Sequence, residues 1–529
     1  MDVSFYHDQR RNLLIYPRSD QIERYIPEAR PINGALVAVP RNLRNSQVLR
    51  WLQYPVPPIM QDYDWPAAFG LKPWESQRIA ANFMVLHPRC FNLSDMGVGK
   101  TLTTLWACDW IMRQHRPGTC RALVITPLST LQRVWGDAIF KNFMGRRTFE
   151  ILHGNPARRS SRLAKDADFY LINPDGVGVG AHTRKRFELD GFSKQLAERD
   201  DIRICIIDEA SAYKDASTKR HKIARAIVGR KDYLFLLTGT PTPNAPTDAY
   251  GLAKLVNNAQ GKSFQAFQNE TMYKATQFKW VPLKDGYDKA KRLLSPAIRF
   301  DIRDVWDGPE LTTQQREVPL TTEQTRLMAA LKRDLMIMVK SGKTVTAANE
   351  AGLRIKFIQL SLGAVYDENH KAHMVDAKPR IDELKAVISE APGKLLVFVP
   401  LTSIVEFVYK ELHTCWSCEI VNGNTSQKDR SRIFDSFQNG PDPRIIIADP
   451  GTMAHGLDLY AARTVVWYGC TDRTELYLQA NKRAHRPGQK YPVAVVQIVS
   501  NALEREIYRR LDNNESMQGA LLQMVRDDI

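Results

Sequence analysis

Asp95-Met-Gly-Val-Gly-Lys-Thr101 and, 384 residues further on, Gln479-Ala-Asn-Lys-Arg-Ala-His-Arg-Pro-Gly-Gln489 make sense only as two halves of one machine. In the first, Gly97 and Gly99 let the backbone approach phosphates with its N–H groups pointing inward. Lys100 supplies a mobile positive charge and Thr101 a hydroxyl for Mg²⁺. Ser94 stands where GxxxxGK[ST] has its first glycine. The segment Leu102–Arg113 is expected to open a helix whose N-terminal dipole adds to the field. In the second stretch Arg483 and Arg486 lie three residues apart, and a helical turn would set both on one face, as reaching a γ-phosphate requires. The pair reads as a nucleotide clamp, the arrangement of an ATP-driven motor.

Working outward, Ile204-Cys-Ile-Ile-Asp208-Glu209-Ala-Ser211 is an apolar strand ending in two adjacent carboxylates. Asp208 is the expected metal-side ligand and Glu209 the general base for an attacking water. Leu237-Thr238-Gly-Thr240-Pro closes the next strand with hydroxyls and a tight turn. In the second half Gly451-Thr452-Met-Ala-His-Gly456-Leu-Asp458 follows a buried strand. Thr452 and the backbone near Gly456 are placed to meet a nucleic-acid backbone, and Asp458 to reach toward the nucleotide. His455 reads as a structural histidine rather than a metal ligand.

The scaffold beneath these motifs is legible in short, continuously apolar runs, the mark of strands buried on both faces of a parallel sheet. They fall at 122–126, 169–172, 202–207 and 233–238, then at 395–399, 445–448, 464–468 and 493–499. The predicted fold is α/β: two tandem parallel-sheet lobes, RecA-like by the family resemblance that the motifs carry below, with a helical insertion between them and a small N-terminal domain. The expected divisions are an accessory region over 1–70, an ATP-binding lobe over 71–250, a mostly helical insertion over 251–385, a second lobe over 386–505 and a C-terminal helix over 506–529. Within the insertion Leu327, Leu331, Leu335 and Met338 recur at helical spacing, and the stretch from Leu353 to Leu362 continues the pattern. The segment LRWLQYPVPP, from Leu49 to Pro58, reads as a linker or packing arm.

Bulk composition narrows the function classes. Of 529 residues, 43% are apolar and 25% charged, ordinary for a globular chain, but 74 Lys and Arg against 58 Asp and Glu leave a net charge of +16. With no long tail of like charge, that excess implies a folded polyanion-binding surface, most simply for nucleic acid. Seven scattered cysteines fit a reducing compartment, and Cys415-Trp-Ser-Cys418 has no second ligand pair nearby to complete a zinc site. No signal-like N-terminus and no window of 18 uncharged apolar residues stands out. A soluble, intracellular protein with no membrane partner is expected.

As an ordered set the motifs resemble those of superfamily 2 helicase-like ATPases, specifically the Swi/Snf type of double-stranded DNA translocase, over about residues 71–505. Leu71-Lys-Pro-Trp-Glu-Ser-Gln77 resembles the adenine-sensing Q motif, and Asp95–Thr101 motif I. Thr126-Pro-Leu-Ser-Thr-Leu followed by Trp135 looks like motif Ia. Asp208–Ser211 is similar to motif II and Thr238–Pro241 to motif III. Asn422 to Phe437 is similar to the stretch after motif IV, with motifs V and VI at 452–458 and 479–489. His485-Arg-Pro-Gly-Gln489 matches the family's HRxGQ ending.

The resemblance implies ATP and Mg²⁺ as cofactors. The nucleotide set would be Gln77, Gly97, Val98, Gly99, Lys100, Thr101, Gly456 and Asp458, with Thr101 and Asp208 on the metal. Lys100, Asp208, Glu209, Arg483 and Arg486 would be catalytic, and Thr126, Arg133, Thr240 and Thr452 would contact DNA. Three departures stand out: Ser211 where the family usually has His, Ser94-Asp95 where Asp-Glu is usual, and Gly456-Leu-Asp458 in place of Gly-Leu-Gly. With no accessory chromatin-reading segment in view, a bacterial or viral member acting on naked DNA is expected, located in the cytoplasm at the nucleoid or in an infected cell. A nuclear location stays open.

Duplex DNA is the implied partner, although the motifs alone serve RNA as well. Residues 1–70 are the candidate segment for a protein partner. Two lobes in one chain complete a nucleotide site without a second subunit, so a monomer is expected. A strand-separating helicase and a non-hydrolysing DNA-binding scaffold are the alternatives.

Overall fold

The computed structural model describes residues 5–68, 70–179, 189, 191–242, 245–276, 279–340, 347–366, 371–453 and 459–513. The chain divides into two compact units, one of Met1–Tyr273 with Pro282–Val305, the other of Lys274–Val281 with Trp306–Ile529. The block 251–385 is therefore shared between the units. Helices Ala249–Val256, Phe264–Thr271 and Gly286–Leu293 belong to the first unit, and Thr322–Lys340, Ala347–Leu362 and Lys378–Glu390 to the second. Among the described residues no helix is long and apolar enough to cross a membrane.

The first unit is built on a seven-stranded, wholly parallel sheet. Its strand order is Ala297–Ile298, Arg89–Asn92, Tyr233–Leu237, Ile202–Ile207, Arg121–Ile125, Phe169–Ile172, Phe149–Ile151. The central strands are apolar on both faces because helices cover both: Phe169–Ile172 and Tyr233–Leu237 are buried at every position. Register pairs Leu237 with Asn92, Leu236 with Ile207 and Ile125 with Ile207. The segments that follow Asn92, Ile125, Ile207 and Leu237 therefore leave from one edge, the carboxyl end, where ligands bind in sheets of this kind.

A small four-stranded antiparallel sheet precedes this lobe, in the order Tyr6–Asp8, Leu13–Pro17, Leu36–Pro40, Arg30–Pro31. It has its own core of Leu14, Tyr16, Ile22, Ile26, Val37, Val39 and Leu49. The segment from Leu49 to Pro58 packs on that core through Tyr54 and Val56, and the Tyr16 hydroxyl donates to Pro55 O at 2.6 Å. Further on, the fully buried Asp109 accepts from Tyr63 Oη at 2.7 Å and Arg147 Nε at 2.6 Å. It pins the chain between small sheet and lobe to the middle of helix Lys100–Arg113.

The second unit carries a six-stranded parallel sheet, in the order Leu311–Glu317, Val493–Val499, Ala462–Trp467, Lys394–Phe398, Ile445–Ala448, Cys418–Val421. The buried ion pair of Arg380 and Glu504 ties it together. Arg380, on helix Lys378–Glu390, donates to Tyr468 O and Ile498 O beyond and within the strands, to Ser500 Oγ and to Glu504 Oε2. Glu504 also accepts from Ser500 N at 2.8 Å, fixing the start of helix Ala502–Asp512.

Candidate nucleotide site

The phosphate-loop geometry expected of 95–101 is present in the backbone. Gly97 and Gly99 have φ of +91° and +79°, the left-handed region that glycine enters without strain. Gly99 then caps helix Lys100–Arg113, 14 residues long and mostly buried, so its N-terminal N–H groups and dipole face the loop. Lys100 Nζ donates to Ser94 O at 2.7 Å and Asp95 O at 2.9 Å, folding its charge over the loop. Val98 is buried and Thr101 partly exposed.

Gln77 closes the loop from the side. Its Nε2 donates to Val98 O at 3.2 Å, while its Oε1 accepts from Trp74 N at 2.9 Å at the start of helix Glu75–Leu86. A Cβ on Gly99 would lie 2.1 Å from Gln77 Nε2, so the glycine is needed for this approach as well as for its φ.

The departure at Ser94-Asp95 has a local explanation. Ser94 is 1% exposed, and its Oγ accepts from Phe300 N at 3.1 Å. Asp95 N donates to Phe300 O at 2.9 Å, and the Asp95 carboxylate lies 3.7 Å from Arg299. The loop thus continues the pairing between strands Arg89–Asn92 and Ala297–Ile298 instead of making the tight first turn of a glycine.

Two strands away, Asp208 leaves strand Ile202–Ile207 with its N–H on Ile125 O at 2.9 Å. Its Oδ2 accepts from Trp135 Nε1 at 2.9 Å and Thr126 Oγ1 at 3.0 Å, and its Oδ1 from Glu209 N at 3.0 Å. Glu209 has φ +49° and ψ +51°, a left-handed conformation uncommon outside glycine and concentrated at functional sites. The strands that carry them are two apart in the sheet, about 10 Å at the usual spacing, and both segments leave from its carboxyl edge. The donor set suits Mg²⁺, which takes hard oxygen ligands and usually one or two carboxylates together with substrate phosphates. Three of the roughly four lone-pair sites of Asp208 are engaged, leaving one to face a metal or its water, and Thr101 offers a hydroxyl.

Other expected residues fall differently. Thr126 was expected to contact DNA, but its side chain is fully buried and its hydroxyl turned to Asp208 and to Thr130 at 2.6 Å. Buried in this way, it offers no surface to a duplex. Arg133 and Thr240 are partly exposed, and Thr240 N donates to Thr238 Oγ1 at 3.1 Å.

In the second unit Thr452 is partly exposed with its Oγ1 bonded to Asp449 O at 2.7 Å. His455, Gly456 and Asp458 lie outside the described residues. The helical face expected for the two arginines is not formed: helix Thr474–Asn481 stops before them. The chain goes on in tighter turns, with Arg483 N on Ala480 O at 3.1 Å. Pro487 disfavours helix at Arg486, and Gly488 turns left-handed at φ +106°. Arg483 is 5% exposed and Arg486 partly exposed. His485 Nε2 donates to Pro309 O at 2.7 Å and its ring lies 5.2 Å from that of Trp306, tilted by 54°, which anchors the arginine turn to the segment entering strand Leu311–Glu317.

Residues 87–362, just over half of the chain, match the family model of the SNF2-related domain, and residues 379–488 match the helicase conserved C-terminal domain. The chain belongs to the SNF2-related family. Among its relatives, this SNF2-related chain is 24% identical over 455 residues to a probable chromatin-remodeling complex ATPase chain of Oryza sativa subsp. japonica, covering 82% of this chain and 39% of that one. It is 23% identical over 475 residues to the putative protein p41 of Acyrthosiphon pisum secondary endosymbiont phage 1, covering 85% of this chain and 98% of that one. Among solved structures, the Sulfolobus solfataricus SWI2/SNF2 ATPase core in complex with dsDNA aligns at 22% identity and TM-score 0.39, covering 85% of this chain and 92% of that one. The chain spans about two fifths of the length of the plant and mouse remodelling proteins it matches.

Proposed function

We propose that this protein is an ATP-dependent double-stranded DNA translocase that couples ATP hydrolysis to movement along DNA, remodelling DNA structures or displacing bound proteins. The observation that carries the reading is the joint presence, on one sheet edge, of the left-handed Gly97/Gly99 loop opening helix Lys100–Arg113 and the Asp208-Glu209 pair. Lys100 exchanges its two carbonyl partners for phosphate oxygens when ATP enters. Gln77 holds the loop backbone, and Glu209 takes the proton of the attacking water. Thr101 and Asp208 would hold Mg²⁺, which would supply charge neutralisation at the phosphates. Arg483 and Arg486 stabilise the γ-phosphate as it leaves.

Arg133, Thr240 and Thr452 are the contacts proposed for the DNA backbone, within a chain whose net charge of +16 favours polyanions. ATP turnover measured with duplex, with single strands and without DNA tests this. Duplex-stimulated turnover, abolished in Lys100→Ala, is the expected result. Turnover stimulated by single strands alone would point to a strand-separating helicase, and no turnover under any condition to a scaffold.

A further inference from the structure

The sequence singles out Trp135 only as the end of a motif, and the mechanism above gives it no task. Its indole is fully buried in the apolar cluster that holds Leu105, Val124, Ile139 and Phe143. An indole N–H donates and never accepts, and when buried it needs a partner. Here the partner is the carboxylate Oδ2 of Asp208, 2.9 Å away and 73 residues along the chain. A hydrogen bond to a carboxylate is stronger than a neutral one.

The backbone around Trp135 is unusual in the way functional sites often are. Leu131–Gly136 forms a π-helical turn, a rare i→i+5 geometry that recurs at functional sites and shifts the side chains beyond it by one position. Gly136 lets this turn sit against the strand Phe149–Ile151, since a Cβ there would lie 3.0 Å from the Phe149 ring. Thr126 adds a second donor to the same oxygen. Two hydroxyl hydrogens serve the contacts of the Thr126–Thr130 pair, and Thr130 also reaches Pro127 O at 2.8 Å. With the Thr126 hydrogen on Asp208, which only accepts, the single Thr130 hydrogen is shared between Thr126 Oγ1 and Pro127 O.

We propose that Trp135, with Thr126 beside it, is a positioning residue that holds Oδ2 of Asp208 and so presents the remaining lone pair of that carboxylate to the catalytic Mg²⁺. The proposal rests on the ATP-hydrolysis reading. Outer partners of this kind typically matter about 10- to 100-fold in metal affinity or activity.

Trp135→Phe removes the N–H while leaving an aromatic ring in the cluster. The test is equilibrium binding of N-methylanthraniloyl-labelled ADP, followed by anisotropy of the label across a Mg²⁺ titration, with the Mg²⁺ dependence of ATP turnover run in parallel. Wild type is expected to bind in a Mg²⁺-dependent manner. Trp135→Phe is expected to need about 10- to 100-fold more Mg²⁺ for half-saturation, with nucleotide affinity at saturating Mg²⁺ nearly restored. Thr126→Val, which removes the other donor to the same oxygen, is expected to move the Mg²⁺ requirement the same way, and it carries the test if the Phe variant does not fold. A purely packing role would lower the unfolding midpoint and leave both Mg²⁺ titrations unmoved, which overturns the proposal while leaving the ATPase reading intact. Absence of Mg²⁺-dependent nucleotide binding in the wild-type protein overturns both.

Discussion

Arg486→Ala is expected to lower duplex-stimulated ATP turnover by about 10³- to 10⁵-fold, the range for losing an arginine finger, with little change in the affinity for an ATP analogue. The split follows from where the groups reside. The loop, Lys100, Gln77 and Asp208 all belong to the first unit, and Arg486 to the second, so its removal leaves the phosphate cradle untouched. Arg486 is partly exposed on a turn, and truncating it removes little packing. Arg483→Ala provides the contrast. At 5% exposure, the Arg483 side chain is packed into the second unit. Its loss is expected to cost stability together with turnover. Single-turnover hydrolysis and analogue binding, measured side by side, separate the two. A fall in analogue affinity matching the fall in rate would remove Arg486 from the role assigned to it.

Glu504→Ala is expected to destabilise the second unit by about 3–5 kcal/mol, because it strands a buried guanidinium. Arg380 is 2% exposed and Glu504 fully buried. Arg380 bonds two backbone carbonyls at the sheet, Tyr468 O and Ile498 O, as well as the carboxylate. A neutral methyl in place of that carboxylate leaves the charge with no counterion in a low-dielectric site. Replacing both partners, as in Arg380→Met with Glu504→Leu, is expected to recover part of the loss: the stranded charge is gone, while Tyr468 O, Ile498 O and Ser500 N lose a side-chain partner. Urea unfolding followed by circular dichroism, resolved for the transition of the second unit, measures both. A loss below about 1 kcal/mol for the single variant would mean the pair is solvated in solution, at the value of a surface bridge.

The parts of the fold that were legible in the sequence are those whose burial is symmetric. Strands such as Phe169–Ile172 and Ile445–Ala448 are apolar at every position because helices cover both faces, and they stand out as runs. Strand Leu311–Glu317 did not stand out. It is polar and almost wholly exposed, yet it pairs in parallel with Val493–Val499 along its full length. An edge strand needs only its backbone to join a sheet, and its polar side chains help protect the edge. Ala297–Ile298, two residues long, escapes for a simpler reason: no pattern exists at that length.

The phosphate loop and the acid pair were legible because their chemistry is local, with every required group inside a few residues. The bonds of Trp135 and Thr126 to Asp208 span 73 and 82 residues, and spacing carries no information about where a side chain points. Three-residue spacing suggests a helix at the arginine turn, but helix Thr474–Asn481 stops short of it and the Pro487-Gly488 that follows does not sustain one.

The most direct test of the account is triplex displacement: a third strand bound to a linear duplex, ATP added, and release of the third strand followed together with the integrity of the duplex. ATP-dependent release of the third strand with the duplex left paired, and no release with Lys100→Ala, is the expected result. Separation of the duplex strands, or ATP turnover that proceeds without displacing the third strand, would contradict it.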